Sequence, residues 1–382
     1  MGYIHVEVEV AQRSKRNATT CGDVVKIERT EYATTIVCAD GIGSGVKAHI
    51  SATMAAARFM DLLKGGLSMR DAFSRVVDTM ETWRSPELPY SVLTAVRILN
   101  HGETTVLSYE MPPPLLFAGG QATTLPLRYG GFRRALIGEV HCHIRPGEGI
   151  ILVSDGITES GLGLGWKKGW TIEGVRRRVE EAVTSNGCSQ RITSLVLNES
   201  REIDAGMHHD DSTVVSAICR EGRVLNILTG PPGNRDRNRE VINRFLSLEG
   251  CKIVCGGTTS KLVADAIGTE MELDTTHTSL YSPPRYKIAY IDLATEGRVM
   301  LNQLFNVLDS DPEDLEPDNP VRDLLLYIES ADRVNFTVGL ATNPSATHIS
   351  YRQQGFLSRS AIVPLIAEAL RKRGKLVVEE YI

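Results

Sequence analysis

The sequence predicts an α+β architecture: an antiparallel β-sandwich flanked by helices, followed by a smaller α/β unit whose sheet is mostly parallel. Three observations carry this expectation. Residues 4–10 alternate Ile4, Val6, Val8 and Val10 with His5, Glu7 and Glu9, the period of a strand with one buried face. Strand-like runs then cluster on either side of a helix pair instead of alternating with helices one for one. After Glu221-Gly222 the rhythm changes to strand, helix, strand, the pattern of a parallel sheet. The expected units are 1–221 and 222–382, and 382 residues that are 42% apolar can fill a core in each.

In order, the first unit should hold strands at 4–10, 23–28 and 32–39, then helices at 51–63 and 68–83, the second opening on Ser68 as a cap. Strands follow at 91–100, 104–109, 115–118 and 149–153, then a charged helix at 171–183 and a strand at 212–220. The second unit should run strand 224–230, helix 238–248, strand 251–256, helix 258–267, strand 286–292 and helix 296–308. The acidic stretch DSDPEDLEPDNP is a solvated loop, and helix 360–374 with strand 375–382 closes the chain.

A formal net charge of -5 gives no electrostatic reason to expect nucleic acid or an anionic membrane as partner. No apolar run reaches the length of a membrane span. The start MGYIHVEVEV lacks a signal-peptide layout, and Val6 stands where a myristoylation signal needs Ser or Thr. Seven scattered cysteines without a CxxC pair fit reduced thiols, mostly in the core, and the expected location is the cytoplasm. Oligomeric state stays open, with a homodimer among the choices.

Four carboxylates share one context. Asp23 sits in TCGDVV, Asp40 in VCADGIGSG, Asp155 in ILVSDGITES and Asp210 in MHHDDSTVV, each at one edge of an expected strand. Taken singly, an aspartate before glycine is a turn former; together the four can share one rim of a sandwich. Like charges so gathered raise one another's pKa unless a cation neutralises them. Oxygen-only ligands suit Mg²⁺ or Mn²⁺, and a glycine beside an aspartate lets a backbone carbonyl approach the ion as well. Two ions roughly 3.5–4 Å apart would bridge a water, lower its pKa and aim it at phosphorus, the chemistry of a phosphate-ester hydrolase.

GD, DGIGSG, SDGITE and DDSTVV, in that order across residues 20–219, together with MPPPLLFAGG, resemble the bacterial metal-dependent protein phosphatase (PPM) family in its sporulation stage II protein E branch. The resemblance implies that Asp40 bridges two Mn²⁺ or Mg²⁺ ions, the carbonyl of Gly41 ligates the first, and Asp155 and Asp210 hold the second. Asp23 would bind through water or directly, and Asp211 would support the last ligand. It implies one-step removal of phosphate from phosphoserine or phosphothreonine on a protein substrate, and a switching role for the two helices after DGIGSG. Where some members carry a histidine that protonates the leaving group, this chain has Ile42. Arg13, Arg16 and Arg29 are candidates for a phosphate-clamping arginine. The competing reading is a catalytically silent scaffold that keeps the fold and binds a partner.

Other motifs are weighed against plainer roles. GIGSG fits neither GxGxxG nor a Walker A loop. His141, His143, His208 and His209 read as structural or surface residues, because neighbours on a strand point to opposite faces. Cys251 and Cys255 read as core, and GLGLGWKKGW as a loop or a flap. In the second unit CGGTTSK puts Gly256, Gly257 and Thr258 where a strand hands over to a helix, a place that attracts anions. A small anionic ligand there, or a turn with Thr258 or Thr259 as helix cap, are both open. LTGPPGNR occupies the corresponding place after the preceding strand.

Overall fold

The computed structural model describes residues 2–43, 45–84, 90–133, 135–186, 191–274, 283–341 and 355–382. The chain forms two compact units, Tyr3–Glu221 and Gly222–Ile382. The first contains two antiparallel sheets flanked by helices. One sheet orders its strands β1 (Ile4–Arg13), β11 (Ser212–Glu221), β10 (Gly149–Val153), β6 (Leu115–Ala118) and β7 (Gln121–Thr124). The other runs β2 (Val24–Arg29), β3 (Ala33–Gly41), β4 (Ser91–Leu99), β5 (Glu103–Tyr109), β9 (Ala135–His143) and β8 (Arg128–Phe132).

Strand β3 is buried along its whole length, because helix α1 (Gly45–Lys64) covers the face that the first sheet does not. That is why TTIVCA shows no alternation of apolar and charged residues. The strand also extends beyond the expected 32–39, so Asp40 is its penultimate residue. Ala48, Ala52, Ala55 and Ala56 form the buried stripe of α1, small enough to bring the helix close to the sheet. Helix α2 (Met69–Trp83) opens on Ser68, whose side chain accepts from the Asp71 N–H at 3.1 Å.

On the outer face of the first sheet lie α4 (Thr171–Asn186) and α5 (Ile192–Ile203), built on Val175, Val179, Ile192 and Val196. Helix α5 is absent from the sequence expectation, although Ile192, Val196 and Ser200 repeat at helical spacing on its buried face. Strands β7 to β9 are likewise additions. Cys38, Cys219 and Cys255 are buried, whereas Cys251 is exposed, which corrects its expected place in the core. It opens its strand at the surface, beside Gly250. Cys188 lies outside the described residues.

In the second unit a seven-stranded sheet runs β14 (Glu272–Leu273), β15 (Arg285–Lys287), β16 (Leu293–Thr295), β13 (Cys251–Cys255), β12 (Val224–Thr229), β17 (Arg333–Val338) and β18 (Leu376–Tyr381). The five strands from β16 to β18 are parallel, and β15 and β14 add antiparallel. Of the expected strand 286–292 only Tyr286 and Lys287 are strand, in β15; a turn in which Tyr290 takes a positive φ of 62° follows, and β16 begins at Leu293. Helices α6 (Asn238–Ser247) and α7 (Gly257–Ile267) pack around Val241, Phe245 and Val263. A second core holds α8 (Arg298–Val307), α9 (Pro320–Ser330) and α10 (Arg359–Lys372). Helix α9 and strand β17 were not anticipated. Among the described residues no helix is long and apolar enough to cross a membrane.

Candidate active site

Asp40 is the penultimate residue of β3, Asp155 opens the single helical turn α3 (Asp155–Thr158) after β10, Asp210 and Asp211 precede β11, and Asp23 precedes β2. Four separate strand ends thus present carboxylates at one rim. Two glycines set the approach. A Cβ on Gly41 would strike the carbonyl oxygen of Ala48, and one on Gly156 would strike the carbonyl of Asp211. Gly41 is therefore required by the closeness of α1, not by an unusual backbone angle. The left-handed conformations come later in the motif, at Gly43 and Gly45, with φ of 122° and 66°.

Asp40 is 7% exposed and lies between Asp23 and Asp155. Burial drives its carboxyl far above the ordinary range, and the charges of Asp23 and Asp155 push the same way. Asp23, 3% exposed, is pushed up to about 6 by burial, against hydrogen bonds from Thr213 and Ser154. Asp155 is raised chiefly by burial and also by Asp210, with Lys15 pulling it down. In this setting neutral carboxyls are favoured, and a nearby cation would reverse the preference.

The surrounding hydrogen bonds fix individual oxygens. Thr213 Oγ1 donates to Asp23 Oδ2 at 2.6 Å, and Gln12 Nε2 donates to Thr213 Oγ1 at 3.0 Å. Asp23 Oδ1 is buried without a hydrogen-bond partner among the described residues. Asp211 accepts from the Lys15 N–H at 2.8 Å, and Asp210 Oδ1 from the Asp211 N–H at 2.9 Å. Lys15 Nζ stands 3.5 Å from Asp210 Oδ1. A Cβ on Gly22 would lie 2.8 Å from Asp211 Oδ2 and 3.4 Å from the Gly41 carbonyl oxygen, so those two oxygens share one small cradle.

Among the described residues no three histidine, cysteine, aspartate or glutamate side chains already close on a point as a metal shell. The carboxylates meet as neighbours, with Asp40 in the middle. The donor set is nonetheless all oxygen and matches a hard divalent ion, and Asp23 Oδ1 is a buried acceptor with nothing else to bind. The residues fit such an ion in their chemistry.

Strand β1 pairs antiparallel with β11, setting Arg13 opposite Ser212. This brings residues 13–16 beside Asp210 and Asp211. Arg13, Ser14, Arg16, Arg201, Gly206, Met207 and His208 line a cleft of about 560 Å³. Arg29 lies instead at the opposite end of β2 from Asp23, its guanidinium donating to the Val6 carbonyl at 3.0 Å. His141 bonds Thr105 and Glu139 on β9, in keeping with a structural role. Sequence reasoning missed Lys15, Gln12 and Thr213, although Thr213 lies inside the DDSTVV motif itself.

The family model for stage II sporulation protein E (SpoIIE) matches residues 30–220, half of the chain. No curated protein matches it. Among solved structures, the chain is similar to the PP2C phosphatase domain with a fragment of the regulatory domain of the cell fate determinant SpoIIE from Bacillus subtilis. The identity is 19% and the TM-score 0.49, covering 58% of this chain and 63% of that one, under two thirds of its length. The RsbU and RsbW domains of a Mycobacterium tuberculosis protein are 15% identical, with TM-score 0.47, covering 64% of this chain and 68% of that one. The PPM Ser-Thr phosphatase MsPP from Mycobacterium smegmatis, in complex with cacodylate, is 16% identical, with TM-score 0.39, covering 56% and 97%. With the family match covering residues 30–220, which include Asp40, Asp155 and Asp210, the chain belongs to the stage II sporulation protein E (SpoIIE) family.

Proposed function

We propose that the first unit hydrolyses phosphoserine or phosphothreonine on a signalling protein in one metal-dependent step. The observation that carries this reading is the placement of Asp40, buried between Asp23 and Asp155 with its pKa driven upward by burial and by both neighbours. In the assignment we favour, Asp40, the Gly41 carbonyl, Asp155 and Asp210 would hold two Mn²⁺ or Mg²⁺ ions, with Asp23 contributing directly or through water. When bound, the ions supply the charge that keeps these carboxylates ionised, lower the pKa of a water and neutralise phosphoryl oxygens.

The chain's own residues orient and clamp. Thr213 holds Asp23 Oδ2, which leaves Oδ1 for the centre. Arg13 and Arg16, at the rim of the cleft beside Asp210, offer guanidiniums with the fork geometry that phosphate oxygens accept. Ile42 has no proton to give, so the leaving alkoxide takes its proton from water or from another side chain. We read the second unit as regulatory, with a small anionic ligand at Gly256, Gly257 and Thr258. Scattered thiols without CxxC pairs fit work in the reducing cytoplasm.

The test is manganese-dependent hydrolysis of an aryl phosphate. Asp40→Asn and Asp155→Asn should each abolish it while the chain stays folded. Retained turnover would overturn the ligand assignment. No turnover by the unmodified chain at saturating metal, beside intact partner binding, would mark a silent scaffold instead.

A further inference from the structure

The sheet of the second unit reverses its direction of growth at β12. The chain passes through α6 to β13 on one side of that strand and later returns to add β17 on the other. In parallel sheets, ligands sit outside the carboxyl ends of the strands at such a reversal. Here Gly230 follows the end of β12 and Gly256 the end of β13, with φ of 80° and 136°. A Cβ on Gly256 would lie 4.0 Å from the backbone nitrogen of Gly230, so the two turns adjoin.

Several donors without acceptors meet at these turns. Gly256 is the N-cap of α7 and offers no side chain to the helix, so the N–H groups of Gly257, Thr258 and Thr259 have no acceptor within it. Thr259 Oγ1 points back toward Gly256, 3.0 Å from where a Cβ would stand. Thr259 is 2% exposed and Ser260 0%, and neither hydroxyl has a hydrogen-bond partner among the described residues. Arg359, the first residue of α10, lays its guanidinium against Gly230 so closely that a Cβ there would collide with Nη1. Its Nη2 donates to the Ala341 carbonyl at 3.1 Å. Burial lowers the pKa of this arginine, and no carboxylate acts to raise it. A half-buried guanidinium beside unsatisfied hydroxyls is costly unless an anion joins them.

We propose that this crevice binds the phosphate group of a small molecule, with Arg359, the hydroxyls of Thr259 and Ser260 and the first-turn N–H groups of α7 as donors. A planar carboxylate has two oxygens to offer a guanidinium, two hydroxyls and a helix terminus. A tetrahedral phosphate has three terminal oxygens pointing in different directions, which suits donors from separate elements. The inference rests on the reading of the second unit as an anion-binding module and is independent of the chemistry at Asp40.

Calorimetry on the full chain in a chelator, with the metal centre disabled, tests it with inorganic phosphate, adenosine 5′-monophosphate, adenosine and succinate. Phosphate and the monophosphate should bind at one site, and adenosine and succinate should not. Tighter binding of the monophosphate identifies a phosphate ester as the ligand, and equal affinity identifies phosphate itself. Arg359→Gln and Thr259→Val should each weaken phosphate binding, the first by about tenfold or more. Arg359→Gln should do so without lowering the melting temperature of the ligand-free chain, as loss of a purely structural arginine would. Thr259→Val carries the test alone if the arginine variant fails to fold. Phosphate binding undiminished in these variants would overturn the proposal. Succinate binding that Arg359→Gln abolishes, without phosphate binding, would overturn the phosphate class and keep the anion-binding reading. No binding of any of the four would end both.

Discussion

Thr213 Oγ1 donates to Asp23 Oδ2 at 2.6 Å, and this bond joins the second residue of β11 to the carboxylate that precedes β2 in the other sheet. It turns Asp23 so that Oδ1 stays free, and it holds the Asp23 pKa down against burial. Thr213→Val should weaken Mn²⁺ binding by about tenfold or more, the usual effect of losing a partner that orients a ligand. Thr213→Ser should restore it. Titration calorimetry with Mn²⁺ checks both, and unchanged affinity in the valine variant would remove Thr213 from the centre.

The carboxyl cluster makes the metal-free chain sensitive to pH in a defined direction. Asp23 and Asp40 have folded pKa values above those of the unfolded chain. The folded form therefore keeps protons that the unfolded form releases. This contribution to stability is complete below about pH 4, and it is lost as pH rises through about 6 for Asp23 and higher for Asp40. Melting temperatures in a chelator should fall between pH 5 and pH 8, and Asp40→Asn should flatten that slope. A steeper slope in the variant would mean that the Asp40 carboxyl titrates in the opposite sense.

Gly41→Ala should destabilise the first unit by about 1–3 kcal/mol, the usual cost of forcing a methyl group into a packed site, because the new Cβ meets the Ala48 carbonyl. Chemical denaturation provides the number. A neutral outcome would require α1 to shift outward at no cost.

Lys15→Met should tighten divalent-ion binding by a few-fold. The ammonium lies 3.5 Å from Asp210 Oδ1 in a partly exposed pair, and such pairs are worth at most about 1 kcal/mol. Removing it frees Asp210 from a competing cation. The backbone bond from residue 15 to Asp211 survives the change, so the fold should not move. Mn²⁺ titration reads the difference, and weaker binding would give Lys15 a supporting role instead.

Much of the architecture was legible because burial leaves a pattern. Strand β1 alternates, β3 and β12 are buried on both faces and rich in apolar residues, and the strand–helix rhythm after Gly222 matches the parallel sheet. Strand β8, RYGGF, was not legible: it is exposed and glycine-rich, and pairing with β9 defines it. The turn at Tyr290 interrupts a stretch whose alternation resembles one strand. That each of the four aspartates flanks an apolar strand can be read along the chain. The positions of Lys15 and Arg13 cannot, since they follow from the register that sets Arg13 opposite Ser212, nearly two hundred residues away. Arg359 escaped notice for the same reason, lying over Gly230 from a distant helix.

The two glycine contacts at the rim divide it into two jaws. Gly156 seated on the Asp211 carbonyl makes Asp155 and Asp210 move together with one sheet, and Gly41 seated on Ala48 ties Asp40 to the other sheet and to α1. Asp23, anchored in one sheet and bonded to Thr213 in the other, spans them like a calliper. The spacing between the jaws is thereby a mechanical readout of sandwich thickness. Helix α1 meets the Asp40 side of that gap directly, through the seat of Gly41 on Ala48.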